Sequence, residues 1–259
     1  MIFSWLRRRR LARILANHFP PEWLAILEQK VAHYPLLTTR QQAKLRDEIQ
    51  VFIAEKNWEG CKGLTLTDEM KVVIAAQACL LILELDGEPL ARVPSILVYP
   101  TAFKTPKVRR LGGSEFTLVG EQSLEGEAFY RGAVLLNWDD IADSVENPGS
   151  GHNLVWHEFA HQLDMLDGSI DGTPPIADPD MSRRWHDVMT AEYERLIDDV
   201  RHRRPTLLNH NARQDPAEFF AYCTEIFFDC PLELRDEHPQ LYQLLAEYYR
   251  QDPAERMPA

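Results

Sequence analysis

Cysteine is scarce: Cys61, Cys79, Cys223 and Cys230 are the four in 259 residues, and no two form a C-x-x-C pair. A chain of this length builds a core without cross-links. The thiols therefore read as reduced, with Cys79 and Cys223 as small core residues, and the expected compartment is the cytosol. Long apolar runs are missing as well. The longest, residues 72–85, is interrupted by Gln77 and Glu84 and falls short of the ~20 residues that span a bilayer, so no membrane association is expected. Positive charge is in deficit, with 28 Lys and Arg against 40 Asp and Glu and a formal net charge of -12. Such a surface repels phosphate backbones and excludes direct nucleic-acid binding as the main role, while a basic protein partner stays open. Repeats and low-complexity segments are absent too. The start, Met1-Ile2-Phe3-Ser4-Trp5-Leu6 followed by Arg7 to Arg10, places its charges after the apolar stretch, opposite to a secretory signal, and reads as a solvated, partly disordered arm.

What is present supports a globular chain: 45% hydrophobic residues suffice to bury a core and keep a site dry. The first ninety residues read as helical. Pro20-Pro21 opens a segment with Trp23, Leu24, Leu27 and Val31 at helical spacing; Thr38 and Thr39 offer a cap for a helix running towards Trp58. Thr67-Asp68-Glu69-Met70 places acids at a third helix start, and Asp86-Gly87 closes it. The middle changes character, with β-rich runs at 95–99, 115–119 and 132–138 and a breaker cluster, Pro148-Gly149-Ser150-Gly151. Helical patterning resumes from Asn153 to about Leu166, residues 167–180 read as a loop, and helices follow over about 181–202, 216–229 and 238–250. Helices, a small mixed sheet, then helices again make a helix-rich α+β chain rather than alternating βαβ units. A helical region over 1–90 precedes a catalytic region over 91–259, the two expected to pack as one compact unit.

The chemistry concentrates in His157-Glu158-Phe159-Ala160-His161. On a helix, two histidines four residues apart lie about 40° apart, one turn above the other, so both imidazoles can reach one ion. Zinc takes neutral imidazole nitrogen well. Glu158, beside the first histidine, is placed to take a proton from water whose pKa the metal has lowered. The apolar flanks Leu154, Val155, Trp156, Phe159 and Leu163 bury the helix. The bare H-E-x-x-H pattern also arises by chance, so its helical, apolar context carries part of the reading.

Catalytic zinc usually has three protein ligands and one open position. Asp164 shares the face of His157, but one straight helix does not easily wrap three ligands around a tetrahedral ion, so Asp164 suits a carboxylate that orients a ligand histidine. Asp167 stands where the extended metzincin pattern has its third ligand, yet that pattern needs glycine at position 164. Downstream, Asp215-Pro216-Ala217-Glu218-Phe219-Phe220-Ala221 opens a helix with proline at a tolerated early position. Glu218 in its first turn is the preferred third ligand. Glu225, on nearly the same face, suits binding a ligand histidine from behind, with direct ligation as the lesser alternative. Apolar neighbours on that helix argue that both acids are buried and need partners.

These residues carry a family resemblance. The chain resembles the Mlc titration factor A family, bacterial zinc peptidases of the zincin superfamily. The likeness runs almost end to end: Trp5-Leu6 and the arginines after it, Glu59-Gly60-Cys61, residues 68–80, 132–138 and 153–164, Asp171-Gly172-Thr173-Pro174-Pro175, and 215–221. The Glu-Phe-Phe-Ala segment is also similar to the third-ligand helix of the anthrax lethal factor catalytic domain, which favours Glu218 by analogy. The resemblance implies a zincin-like fold with one zinc ion per chain, aminopeptidase-like activity on peptides, a cytosolic protein, and binding of an Mlc-type glucose repressor that affects the sugar phosphotransferase system. One departure stands out. Family members usually have tyrosine seven residues before the ligand glutamate, where a hydroxyl would stabilise an oxyanion. Here that position is Asn211, which can donate a hydrogen bond but reaches less far, with His210 beside it. A second function class therefore stays open: a repressor-sequestering protein whose zinc site is vestigial.

Overall fold

A computed structural model describes residues 2–102 and 133–257, with side chains from residue 9 onward. The N-terminal segment, expected as a partly disordered arm, is a helix, α1 (Ile2–Leu15). It lies along α3 (Thr39–Glu55), with Arg10 Nη2 donating to the Ala54 carbonyl at 2.9 Å. Between them runs α2 (Pro21–Lys30), which opens with proline at its first position, where no intrahelical N–H is needed. Thr38 starts α3 by a reciprocal cap: its hydroxyl accepts from Gln41 N at 3.3 Å, and the Gln41 side chain accepts from Thr38 N at 3.2 Å.

Trp58 does not continue α3, as its pattern suggested, but lies in β1 (Asn57–Gly60). Its indole donates back to the Ile53 carbonyl at 3.2 Å. The chain then crosses over through α4 (Asp68–Ile82) into β2 (Ser95–Tyr99), and β3 (Val134–Asn137) lies on the other side of β2. Both pairings are parallel, with Trp58 opposite Ile96 and Ile96 opposite Val134. The mixed sheet expected from the sequence is therefore corrected to a parallel one among the described residues, and β1–α4–β2 is a βαβ unit. Parallel neighbours cannot be joined by a tight hairpin, so a helix must carry the return. The β-rich run at 115–119 lies outside the described residues.

Residues 72–81 of α4 are all buried, which explains why its apolar pattern shows no face: the helix is surrounded. Past β3 come α5 (Trp138–Glu146), α6 (Leu154–Asp164), which holds the histidine motif, and the long α7 (Pro179–Arg201). A 3-10 turn (His210–Arg213) leads into α8 (Pro216–Asp229), followed by α9 (Pro231–Glu237) and α10 (Pro239–Tyr249). The core runs from Leu27 of α2 through α4, the sheet, α6 and α8 to Leu245 of α10. Trp156 of α6 fixes the motif helix within it. Its indole donates to the Gln77 carbonyl of α4 at 3.1 Å, and its ring lies 5.5 Å from Phe228 of α8. No helix of the described residues is long and apolar enough to cross a membrane.

Leu11 and Leu15 of α1 help line a cavity of about 300 Å³ with Glu48, Phe52 and Cys79. Burial there pushes the Glu48 carboxyl up to about 7, against the pull of Lys44. The folded state thus holds a proton that the unfolded chain has released by pH 7, and stability is lost as pH rises from the ordinary glutamate range through about 7. Glu48→Gln should accordingly flatten the pH dependence of melting between pH 5 and 8 and raise the melting temperature at pH 8 by about 2–4 °C, measured by scanning calorimetry.

Candidate metal centre

The site is built by α6 and α8, which pack against each other. Asn153 caps α6, its side chain accepting from Trp156 N at 3.0 Å. Asp215 caps α8, accepting from Glu218 N at 3.0 Å, so the first-turn glutamate is set by local geometry. His157 and His161 leave α6 one turn apart with their Nε2 atoms 3.3 Å from each other. Glu218 faces both: Oε2 is 3.4 Å from His157 Nε2, and Oε1 is 3.6 Å from His161 Nε2. Three ligating atoms, one from each residue, lie within 4.8 Å of one another.

Those spacings can be tested against a metal. A tetrahedral ion with bonds near 2.05 Å separates its ligand atoms by about 3.3 Å. The Nε2–Nε2 separation, 3.3 Å, matches that edge length, and Glu218 sets one oxygen 3.4 Å from His157 Nε2 and the other 3.6 Å from His161 Nε2, so its carboxylate faces both rings. The protonation pattern agrees. Glu225, fully buried, brings Oε1 to 2.8 Å from His157 Nδ1. An ionised carboxylate only accepts, so Nδ1 carries the proton, and in the neutral ring Nε2 offers a lone pair towards Glu218. Lone pairs converging on a common centre require a cation or protons between them. Two imidazoles and a carboxylate suit zinc.

In the metal-free chain the electrostatics are those of an ion pair. Burial opposes a charge on His157, but Glu218 and Glu225 outweigh it and push its pKa up to about 10. Burial likewise opposes the charge of Glu218, yet His157 and His161 hold it well below the usual carboxylate range. Glu225 is also lowered: burial is offset by His152 and His157 and by the Asn153 N–H, which donates to Oε2 at 2.6 Å. Glu158 moves the other way. Burial raises its pKa against the pull of the two histidines, leaving it the carboxyl of this group that binds a proton more readily.

The remaining candidates are spread around this cluster. Asp164 is fully buried; its Oδ2 accepts from Gly172 N at 2.9 Å, while Oδ1 is without a hydrogen-bond partner, as is His161 Nδ1. Asp167 is exposed and accepts from Ser169 N at 2.8 Å, apart from the three converging groups. His210 and Asn211 occupy the exposed 3-10 turn before α8, and the Asn211 side chain hydrogen-bonds Tyr222. Sequence reasoning missed two neighbours. Tyr222 follows Glu218 by four residues, a helical spacing that could have pointed to it, and sets its ring edge-on to His157 at 4.8 Å. His152 precedes the cap of α6, where no periodic signal exists, and brings Nδ1 to 3.1 Å from Glu225 Oε2.

Comparison with known proteins follows this geometry. The model of a family described as glucose-regulated metallo-peptidase M90 matches residues 3–250. The chain belongs to the M90 metallopeptidase family. It is 40% identical over 252 residues to an uncharacterized protein of Synechocystis, covering 96% of this chain and 90% of that protein. It is 36% identical over 226 residues to Mlc titration factor A of Serratia proteamaculans, covering 85% and 84% respectively. It is also 34% identical over 231 residues to Mlc titration factor A of Salmonella arizonae, covering 85% and 88%. Membership of a metallopeptidase family implies a metal, and among the described residues His157, His161 and Glu218 are the group that could hold one.

Gly172 ties the M90 site together from outside. It has φ of +79°, and a Cβ there would lie 2.3 Å from the Pro216 carbonyl, two residues before Glu218. Its N–H binds Asp164 on α6 and its carbonyl accepts from the Trp185 indole of α7 at 3.0 Å. Gly172→Ala should therefore shift the start of α8, destabilise the fold by about 2 kcal/mol or more, and weaken metal binding, read by denaturant melts and by chelator competition.

Proposed function

We propose that this chain is a zincin-like peptidase holding one zinc ion on His157, His161 and Glu218, with Glu158 as general base. The observation that carries the reading is the convergence of His157, His161 and Glu218, with one ligand atom from each within 4.8 Å of the others, beside a histidine whose second nitrogen is held by a buried carboxylate. Zinc, when bound, supplies Lewis acidity for water activation and carbonyl polarisation. Glu158 takes the proton of the attacking water and passes it to the leaving amine nitrogen; burial raises its pKa above the ordinary carboxylate value, against the pull of the two histidines. Glu225 keeps His157 in the tautomer that presents Nε2, whereas Asp164, expected from the sequence to orient a ligand histidine, accepts from the Gly172 N–H and hydrogen-bonds neither histidine. Aminopeptidase-like action on short peptides in the cytoplasm fits the acidic chain.

A second role accompanies this one. Relatives at 34–36% identity are named Mlc titration factor A, so we also propose binding of an Mlc-type glucose repressor, with regulation of the sugar phosphotransferase system as its consequence. A net charge of -12 suits a partner with a basic DNA-binding face. The alternative is a purely repressor-sequestering protein whose zinc site no longer turns over.

Glu158→Gln separates these. The variant should keep stoichiometric zinc by elemental analysis and lose cleavage of a peptide library, read by mass spectrometry, by at least about 100-fold. Cleavage retained in a zinc-loaded Glu158→Gln protein would refute the mechanism. Absence of cleavage by both proteins, with repressor release intact in both, would establish the sequestering role instead.

A further inference from the structure

Tyr222 stands one turn after Glu218 on α8, and its ring meets His157 edge-on at 4.8 Å. A phenylalanine would make that ring contact equally well, so the hydroxyl is what calls for a role. It is partly buried, and its acidity is influenced by Glu225, Glu218 and Glu158, which places it in the electrostatic field of the same cluster. Its partner is the side chain of Asn211, on the 3-10 turn before α8. An amide N–H donating to the phenol oxygen leaves the hydroxyl's own proton free to be donated elsewhere, and a tyrosine at pH 7 is protonated.

Building on the peptidase reading above, we infer that Tyr222 is a catalytic residue, donating a hydrogen bond to the scissile carbonyl oxygen as water attack makes it anionic, and that Asn211 is the positioning residue that aims it. The proton stays on the phenol: no bond to Tyr222 forms or breaks, and the oxygen's charge returns to the carbonyl when the amine departs. Such donors act on the transition state rather than on the bound substrate, so their loss appears in kcat and not in KM.

The test uses the zinc-loaded full chain, Tyr222→Phe, Asn211→Ala and Glu158→Gln. Two readouts are taken: kcat and KM on a cleaved peptide, and calorimetric affinity for a phosphinic tripeptide chosen independently of that sequence, whose tetrahedral anion imitates the attacked carbonyl. Tyr222→Phe should lower kcat by about 100-fold with KM within about threefold, and weaken the phosphinic peptide by a similar factor at unchanged zinc content. Asn211→Ala should lower kcat by about tenfold, again without a matching change in KM. Unchanged kcat and unchanged phosphinic affinity in zinc-replete Tyr222→Phe would overturn the assignment. So would loss of zinc from that variant, because the hydroxyl would then be supporting the ligands. If the wild type cleaves nothing, the peptidase reading fails by itself. The phosphinic affinities still decide the role of Tyr222 in recognising a tetrahedral anion: a loss in Tyr222→Phe upholds that role and equal binding removes it.

Discussion

Because Glu225 is wholly withdrawn from water, its charge must be met by donors inside the protein, and all of those donors come from the approach to and first turn of the motif helix. His157 Nδ1, the Asn153 N–H and His152 Nδ1 converge on its two oxygens at 2.8, 2.6 and 3.1 Å. One turn further along α8, Asp229 accepts from the N–H groups of Gly149 and Gly151 at 2.9 and 2.7 Å. The two carboxylates thus clamp the entry of α6 at points separated by a helical turn. An unpaired buried charge costs several kcal/mol, so α6 cannot slide or rotate on α8 without a penalty larger than ordinary thermal motion supplies. Everything at the metal centre inherits that fixed relation: with α6 and α8 locked, the Nε2 atoms and Glu218 meet at ligand spacing.

The opposite end of α6 is held by weaker and less complete contacts. Asp164 keeps one oxygen on Gly172 and leaves the other unpaired, close in sequence to His161, whose Nδ1 is also unpaired. Buried polar atoms left without partners are costly and uncommon. An acceptor and a potential donor three residues apart on one helix complement each other, and a small rotation or a single water would satisfy both. The two motif histidines therefore differ in support: a direct hydrogen bond to Glu225 fixes His157 Nδ1, whereas His161 Nδ1 has no such partner.

Much of this was legible in the residues, and the reasons are local. Asp215-Pro216 announces the start of α8 by capping and by the tolerance of proline in a first turn, which is why Glu218 could be placed beside the histidines. Thr38 with Gln41, and Thr67, announce α3 and α4 in the same way. The sheet was harder to read. β1 has only four residues, Asn57-Trp58-Glu59-Gly60, too few for their alternation to stand out, and its identity comes from pairing with a strand thirty-eight residues on, Asn57 with Ser95. Parallel pairing leaves no turn signal comparable to a hairpin's. α1 was hidden by charge: Arg7 to Arg10 suggest a solvated arm, and only the surface of α3, reached through the Ala54 carbonyl, gives the helix something to lie on. Tyr222 is not marked by the turn at position 211, where the resemblance leads one to expect a tyrosine; the structure sets Asn211 against a tyrosine from the next helix, a contact that no spacing within the turn reveals.

The charges of the cluster bear on which of its possible states is the working one. Glu158, Glu218 and Glu225 surround two imidazoles, and in the metal-free chain the carboxylates make His157 cationic, with a pKa pushed up to about 10. A ring protonated on both nitrogens cannot ligate, so a metal must displace the Nε2 proton, and metal affinity falls as pH drops. Glu225 does not hinder that exchange. It would hold the Nδ1 proton in either state, so the ring would keep its orientation if a metal replaced the Nε2 proton. The same substitution lowers the local negative potential that burial adds to in raising Glu158, which brings that carboxyl back towards the ionised form a general base needs. On the proposed reading, metal binding and the ionisation of Glu158 would be coupled through one set of charges.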